Sequence, residues 1–197
     1  MTEPIDVRER RELCDLMAEL GPDAPTLCTG WTTLDLAAHL VLREHFQKWT
    51  DERMSIEKAK GLSVLIDRLY GGAPLVPWRL PRIRTVMNGV EYLIHHEDVR
   101  RANGHDRRLD RPDLEPIALR VLGFIGRRIA QRIAPHGLEL RRPDGHSRRI
   151  GPVGEAVLTG EPTELLLYLT GRREAAQVSL TGRPDAIAAL EKANQGF

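Results

Sequence analysis

The side chains best suited to chemistry lie in one stretch, NGVEYLIHHEDVRRANG, at positions 88–104. Glu91 and His95 are four residues apart, so on a helix they occupy one face about one turn from each other. Asp98 continues the same stripe beside apolar Ile94. An ionised carboxylate next to an apolar seam is costly unless it is paired, hydrogen-bonded or bound to a metal. The spacing therefore predicts either an ordinary helical ion pair or two ligands of one divalent metal.

A metal site built on Glu91 and His95 needs a third ligand from another helix. His39 is the best candidate, because it lies between Leu36 and Leu40 near the inward face of an earlier predicted helix. Two imidazoles and one carboxylate suit Zn²⁺, and Fe²⁺ or Ni²⁺ also accept such a set. Three protein ligands leave a coordination position for water or substrate, as catalytic metal sites require.

Three neighbouring side chains have more than one interpretation. His96 points about 100° away from His95 around the helix, so it is the weaker alternative ligand. Asp98 is expected to orient a ligand or to stabilise the helix rather than to bind the metal itself. Trp31 either packs in the core or forms a wall of the cavity.

Two segments resemble the motifs of a known family. GWTTLDLAAHL (30–40) is similar to the GW-x-x-x-D-x-x-x-H-L segment of the mycothiol-dependent maleylpyruvate isomerase N-terminal family, which belongs to the DinB-like bundles. EYLIHHEDVRRANG (91–104) resembles that family's second motif, E-x-x-x-H-x-x-D-x-x-x-A-x-G. GEPTELLLYLTGR (160–172) resembles a segment of the C-terminal domain of these proteins. The sequence looks most like a group of short actinobacterial proteins described as metal-binding.

The resemblance implies that His39, Glu91 and His95 bind one divalent metal, typically zinc. In the enzymatic relatives, the open metal position binds the thiol of mycothiol, and the resulting thiolate attacks a small electrophile. The resemblance thus predicts a metal-dependent thiol transferase or isomerase. Metal-bound water as the nucleophile is a lesser version of the same hypothesis.

Three arginines are candidates for holding a carboxylated substrate: Arg82, Arg84 and Arg172. Arginine pairs bidentately with carboxylates, although a surface charge or a helix-end contact is the alternative for each. The competing function is a non-catalytic protein that binds or senses a small molecule, with a structural metal or none. A fourth protein ligand would favour that alternative, whereas an open metal position would favour the enzyme.

Composition and the absence of known motifs argue against several other classes of protein. The chain has 29 basic and 28 acidic residues and a formal net charge of +1, which argues against a nucleic-acid partner. No apolar run approaches the ~20 residues of a membrane span, and no signal peptide is visible, so we expect a cytoplasmic protein. Cys14 and Cys28 form no CxxC pair and are expected to be reduced thiols that pack as small hydrophobes. The motifs GxGxxG, GxxxxGK[ST], GxSxG and HExxH are all absent.

Two further features concern partners. The stretch 120–149 contains eight arginines, which either bind an anion or an acidic partner or form a solvated face. DinB-like bundles often pair, so the resemblance also suggests a homodimer.

The elements that must position the candidate site follow from periodicity and turn signals. In the first half, apolar spacing predicts four helices, at 6–20, 33–50, 55–70 and 82–103. Four helices of this kind favour an antiparallel four-helix bundle of the DinB-like type. The polar, proline-containing segment 105–116 is the predicted linker, which places one domain at 1–106 and the other at 112–197.

The second half changes in composition and period. Predicted helices lie at 113–134, 162–171 and 184–194, and predicted strands at 136–142, 147–151, 153–159 and 176–181. The expected C-terminal domain is therefore α+β, with a small antiparallel sheet, and the resemblance implies a sterol-carrier-like fold. The chain as a whole is assigned to the α+β class.

Overall fold

The protein is described by a computed structural model that covers residues 3–45, 47–72, 81–108, 110–151 and 154–193, without the side chains of 81–87. The chain divides into two compact units, Met1–Asp110 and Arg111–Phe197. Helices dominate the first unit and a sheet with helices forms the second, so the predicted α+β class is confirmed. Within the described ranges, no helix has the length and apolar character needed to cross a bilayer.

The N-terminal unit has five helices in its described part, where the sequence predicted four. They are α1 (Ile5–Leu20), α2 (Thr33–Glu44), α3 (Asp51–Lys58), α4 (Leu62–Tyr70) and α5 (Pro81–Ala102). The single helix predicted over 55–70 was wrong, because Gly61 adopts a φ of 84° between α3 and α4. Only glycine takes that conformation without a steric penalty, so Gly61 separates the two helices.

A capping box sets the start of α2 and hence the position of His39. The Thr32 side chain accepts a hydrogen bond from the backbone N–H of Asp35, and the Asp35 carboxylate accepts from the backbone N–H of Thr32 at 2.9 Å. Reciprocal capping satisfies two otherwise unpaired donors at the helix start. The first turn of α2 is therefore defined by local sequence as well as by packing.

The core of this unit is made of apolar side chains from α1, α2, α4 and α5. The largest fully buried ones include Leu13, Met17, Leu36, Leu40, Leu65, Leu69 and Tyr92. Each such side chain contributes about 1.5–3 kcal/mol on burial. The thiol of Cys14 belongs to the same core, where burial raises its pKa to about 12, as expected of an unreactive packing residue.

An ion pair is buried inside this apolar core. Nη2 of Arg10 on α1 donates to Oε1 of Glu44 on α2 at 2.8 Å, and the Tyr92 hydroxyl of α5 donates to the same oxygen at 2.5 Å. The guanidinium of Arg10 also lies 5.0 Å from the centre of the Tyr92 ring. These contacts join three helices at one carboxylate.

The C-terminal unit contains α6 (Glu115–Arg132), α7 (Pro162–Leu169) and α8 (Pro184–Ala193) around four strands. These are β1 (Leu138–Arg141), β2 (Ser147–Ile150), β3 (Ala156–Thr159) and β4 (Ser179–Gly182), in the order β2-β1-β3-β4. The sheet is mixed, so the predicted antiparallel sheet was wrong: β1 and β3 are parallel. Gly151, which follows β2 with a φ of 97°, lies close to Gly137, just before β1.

The buried pair makes Arg10→Ala a costly substitution. Removing the guanidinium leaves the Glu44 carboxylate without its cation in a site that is 1% exposed, which typically costs about 3–5 kcal/mol. We expect urea unfolding to show a loss of that size. Arg11→Ala is the matched control, because Arg11 pairs with Glu3 at the surface, where a loss within about 0.5 kcal/mol is typical. Equal losses for the two variants would contradict this assignment.

Candidate metal centre

Helices α2 and α5 bring the three predicted ligands together. Nε2 of His39 lies 3.4 Å from Oε1 of Glu91, and Nε2 of His95 lies 3.3 Å from the same oxygen. One ligand atom from each of the three residues lies within 4.8 Å of the other two. Residues 52 positions apart in the chain thus converge on one carboxylate oxygen.

The donor set fits a divalent metal. Two atoms bound to one Zn²⁺ at ~2.0–2.2 Å in a tetrahedron lie about 3.4 Å apart, which matches both nitrogen-to-oxygen separations. Both separations are longer than the usual hydrogen-bond distance of about 2.9 Å. Two imidazoles and a carboxylate are a typical donor set for Zn²⁺ and are accepted by other late first-row metals.

His95 is oriented by a carboxylate on its far side. Its Nδ1 lies 2.9 Å from Oδ2 of Asp98, which is 0% exposed. An ionised carboxylate only accepts hydrogen bonds, so Nδ1 carries the proton, and Nε2 is the nitrogen directed at Glu91. A carboxylate that fixes the tautomer of a histidine in this way is the usual partner of a metal-binding imidazole.

A loop before α2 holds Asp98 in place. The thiol of Cys28 donates to Oδ2 of Asp98 at 3.3 Å, and the backbone N–H of Leu27 donates to the Asp98 carbonyl at 3.1 Å. Cys28 is partly exposed rather than packed as a small hydrophobe, so that prediction was wrong for this thiol. Residue spacing could not predict the contact between Cys28 and Asp98, because the two residues are 70 positions apart in the chain.

Electrostatics at the centre favour an anionic Glu91 and a cationic His95. Burial alone would raise the pKa of Glu91, but hydrogen bonds with His39 and His95 and the charges of His95 and Arg43 hold that pKa well below its usual range. Burial alone would lower the pKa of His95, but hydrogen bonds with Asp98, Cys28 and Glu91 raise it well above its usual range. A metal ligand must be a neutral imidazole, so metal binding at this centre would compete with protonation of His95.

Arg43 and Asn88 also contact the centre, and the sequence analysis missed both. Nε of Arg43 lies 3.2 Å from Oε1 of Glu91, and its Nη1 donates to the side-chain oxygen of Asn88 at 3.0 Å. Arg43 is four residues after His39, and Asn88 is three before Glu91. Residues three or four apart lie on the same face of a helix, so the sequence could have predicted that both residues lie near the centre.

Aromatic rings flank the His39 side of the centre. The Trp31 ring lies 5.2 Å from the His39 ring, and the Trp49 ring lies 5.7 Å from that of Trp31. Trp31 packs against the core cluster, as one of its two interpretations predicts, and its ring also lies beside His39. Trp49 is 58% exposed, which leaves most of its indole accessible to a ligand.

The described residues do not place any of the three candidate substrate arginines at this centre. The side chains of Arg82 and Arg84 lie outside the described residues, although the backbone of both belongs to α5. Arg172 belongs to the C-terminal unit, where its Nη1 donates to the Thr170 carbonyl at 2.6 Å.

His96 faces away from the centre, toward α1. Its Nδ1 lies 3.0 Å from Oε2 of Glu9, and Nη1 of Arg108 donates to both oxygens of Glu9 at 2.9 Å. Glu9, Glu12 and His96 also have donor atoms close together, but the guanidinium of Arg108 already supplies the positive charge there. His96 therefore anchors α5 to α1 while His95 faces α2.

Comparisons with known proteins identify the fold. No protein-family model matches the sequence, and no curated protein gives a significant match. Two crystal structures are similar, those of the mycothiol-dependent maleylpyruvate isomerase and of a variant with one histidine replaced by alanine. Their TM-scores are 0.58 and 0.57, each with 19% identity over 90% of both chains. The chain has the fold of this isomerase. The likeness spans both units, and it agrees with the resemblance noted in the sequence motifs.

Asp98→Asn tests the orientation of His95. The amide keeps the shape of the carboxylate but loses its charge, and loss of such a partner typically weakens metal affinity about 10–100-fold. We expect that weakening in a competition titration of Zn²⁺ against a chromophoric chelator. Asp67→Asn, which changes an exposed carboxylate on α4, should leave the affinity unchanged. An unaltered affinity in Asp98→Asn would show that Asp98 does not support the ligand.

The Glu9 contact predicts a dependence of stability on pH. Burial alone would raise its pKa, but the His96 hydrogen bond and the Arg108 charge lower it to about 2 from 4.5. A depressed carboxyl pKa stabilises the fold above about pH 4.5, and this contribution of up to roughly 3 kcal/mol is lost as the pH falls toward 2. Glu9→Gln should flatten the stability profile between these pH values in chemical denaturation. Glu19→Gln, at an exposed site, should reproduce the wild-type profile.

Proposed function

We propose that the protein is a metal-dependent enzyme in which His39, Glu91 and His95 hold one divalent metal, with zinc preferred. The observation that carries the proposal is the convergence of two imidazole nitrogens on one carboxylate oxygen at 3.3 and 3.4 Å. The reaction class is attack of a small-molecule thiol on an electrophile, as in thiol transfer or thiol-dependent isomerisation. The similarity in fold to an enzyme named for its mycothiol dependence supports a thiol as co-substrate.

Each residue of the centre has a role that follows from its contacts. A metal bound there would lower the pKa of a thiol in its remaining coordination position and supply a nucleophile near neutral pH. Asp98 keeps the proton of His95 on Nδ1, which leaves Nε2 for coordination. Arg43 lies beside Glu91 and keeps that carboxylate ionised and oriented. Trp31 limits the access of water to His39.

The electrophile would bind between the metal and the aromatic side of the centre. Trp49 offers an exposed ring 6.5 Å from that of His39, which suits a planar or apolar part of the substrate. Arg82, Arg84 and Arg172 remain the proposed contacts for a substrate carboxylate.

The number of protein ligands favours catalysis over a structural metal. The group that contains His39 has three members among the residues that the structure describes. Cys28 and Asp98 lie on the Nδ1 side of His95 instead. Structural zinc sites usually have four protein ligands, whereas catalytic sites keep one position open.

Metal content is the first test. We expect near-stoichiometric zinc or nickel in the wild-type protein by elemental mass spectrometry, after purification without chelators or immobilised-metal columns. His39→Ala removes one of three ligands and should lose that metal. His105→Ala, which changes an exposed histidine outside the centre, should retain it. A wild-type protein that takes up no metal even on reconstitution would contradict the metal centre.

Thiol binding tests the reaction class separately. With Co²⁺ in place of the native metal, addition of mycothiol should produce a thiolate-to-cobalt charge-transfer band, because a thiol that loses its proton binds the metal directly. The alcohol analogue of the thiol is the control and should give no such band. A loaded protein that shows no band with any small thiol would retain the metal centre but contradict thiol chemistry.

A further inference from the structure

A cavity lies within the C-terminal unit, among α6, α7 and the β1–β2 hairpin. Its volume is about 170 Å³, and its apolar lining consists of Leu119, Leu122, Leu140 and Leu165. An apolar cavity of ~150 Å³ is known to accept benzene. The cavity therefore has room for a hydrocarbon group of about six to eight carbons.

A cation lies on the apolar side of the hairpin beside this cavity. Arg148 on β2 is directly opposite Leu140 on β1, so their side chains lie on the same face of the sheet. Ile150 follows on that face and packs against Gly126 of α6. The row of β2 that faces α6 thus contains an arginine, whose exposed side chain borders the cavity. No ion pair joins Arg148 to a carboxylate in the part of the chain that the structure describes.

Gly123 of α6 makes room for that guanidinium. A Cβ at position 123 would lie 2.4–2.8 Å from three atoms of the Arg148 guanidinium, which is closer than non-bonded atoms approach a Cβ. The guanidinium therefore lies directly against the helix backbone. Gly123 has a helical backbone conformation, so a glycine matters here because it has no side chain, not because of an unusual φ.

Arg142 adds a second polar group to the rim. Its Nη2 pairs with Asp144 at 2.5 Å, but its Nε is buried and has no hydrogen-bond partner within the described parts of the chain. A buried donor without an acceptor is costly, typically by about 1–3 kcal/mol. Together, Arg142 and Arg148 offer donors to an anion at the mouth of an apolar cavity.

We propose that this cavity binds a small carboxylate with a short apolar tail, whose carboxylate pairs with Arg148 and accepts from Nε of Arg142. The tail then lies among the four leucines, where its burial contributes to affinity. A planar guanidinium suits a carboxylate because two parallel N–H donors match its two oxygens. The proposal uses no residue of the metal centre and is independent of the proposed reaction.

Octanoate is the probe, and binding to the full chain is measured by calorimetry and by shifts in ¹H–¹⁵N spectra. Octan-1-ol has the same tail without the charge, and acetate has the charge without the tail. We expect octanoate to bind at least tenfold more tightly than either, with shifts confined to α6, α7 and the β1–β2 hairpin. Equal binding of octanol or acetate would overturn the proposal.

Two variants separate the role of Arg148 from that of net charge. Arg148→Ala should weaken octanoate binding at least tenfold. Gly123→Ala retains every charge and favours the helix, but its methyl group displaces the guanidinium, so a similar weakening is expected. Arg127→Ala removes an exposed charge from the same helix and should bind octanoate as the wild type does.

Circular dichroism and the thermal midpoint will confirm that each variant is folded. Wild-type affinity in both folded Arg148→Ala and Gly123→Ala would overturn the proposal. In that case Arg148 would act as a charge on the edge strand β2 that opposes pairing with another chain.

Discussion

One carboxylate oxygen, Oε1 of Glu91, organises the N-terminal unit around its candidate site. Two imidazoles and one guanidinium approach it within 3.4 Å, from α2 and from the next turn of α5. A half-buried carboxylate in an apolar bundle is stable only with positive charge beside it. The arrangement therefore favours a cation at this point, whether a proton on His95 or a divalent metal.

Helix α5 can present this site because both of its polar faces are paired. On one face, Asp98 accepts from His95 and from the Cys28 thiol. On the other, His96 contacts Glu9, which Arg108 also neutralises. Adjacent histidines thus point into different environments, and the contact of His96 with α1 is compatible with only one rotation of α5 about its axis. The rotation of α5 in turn determines which imidazole meets α2.

Arginines have different surroundings in the two units. In the N-terminal unit, buried carboxylates pair with arginines, as Glu44 does with Arg10 and Glu9 with Arg108. In the C-terminal unit, Arg148 lies on the apolar face of its hairpin without such a partner among the described residues. A satisfied network contributes to a defined fold, whereas an unpaired cation beside an apolar cavity favours an anionic ligand.

The sequence by itself was enough to predict most of the helices, the capped start of α2 and the candidate ligand set, because these depend on spacing within a helix and on motifs that are local. Tertiary structure alone decided that Cys28 reaches Asp98, that β1 and β3 run parallel and that Arg148 lies on Gly123. Each of these contacts joins segments that are distant in the chain or depends on the register of strand pairing. Apolar periodicity shows which face of an element is buried, but not which other element that face meets. The break at Gly61 was overlooked although it is local, because apolar spacing continues across it.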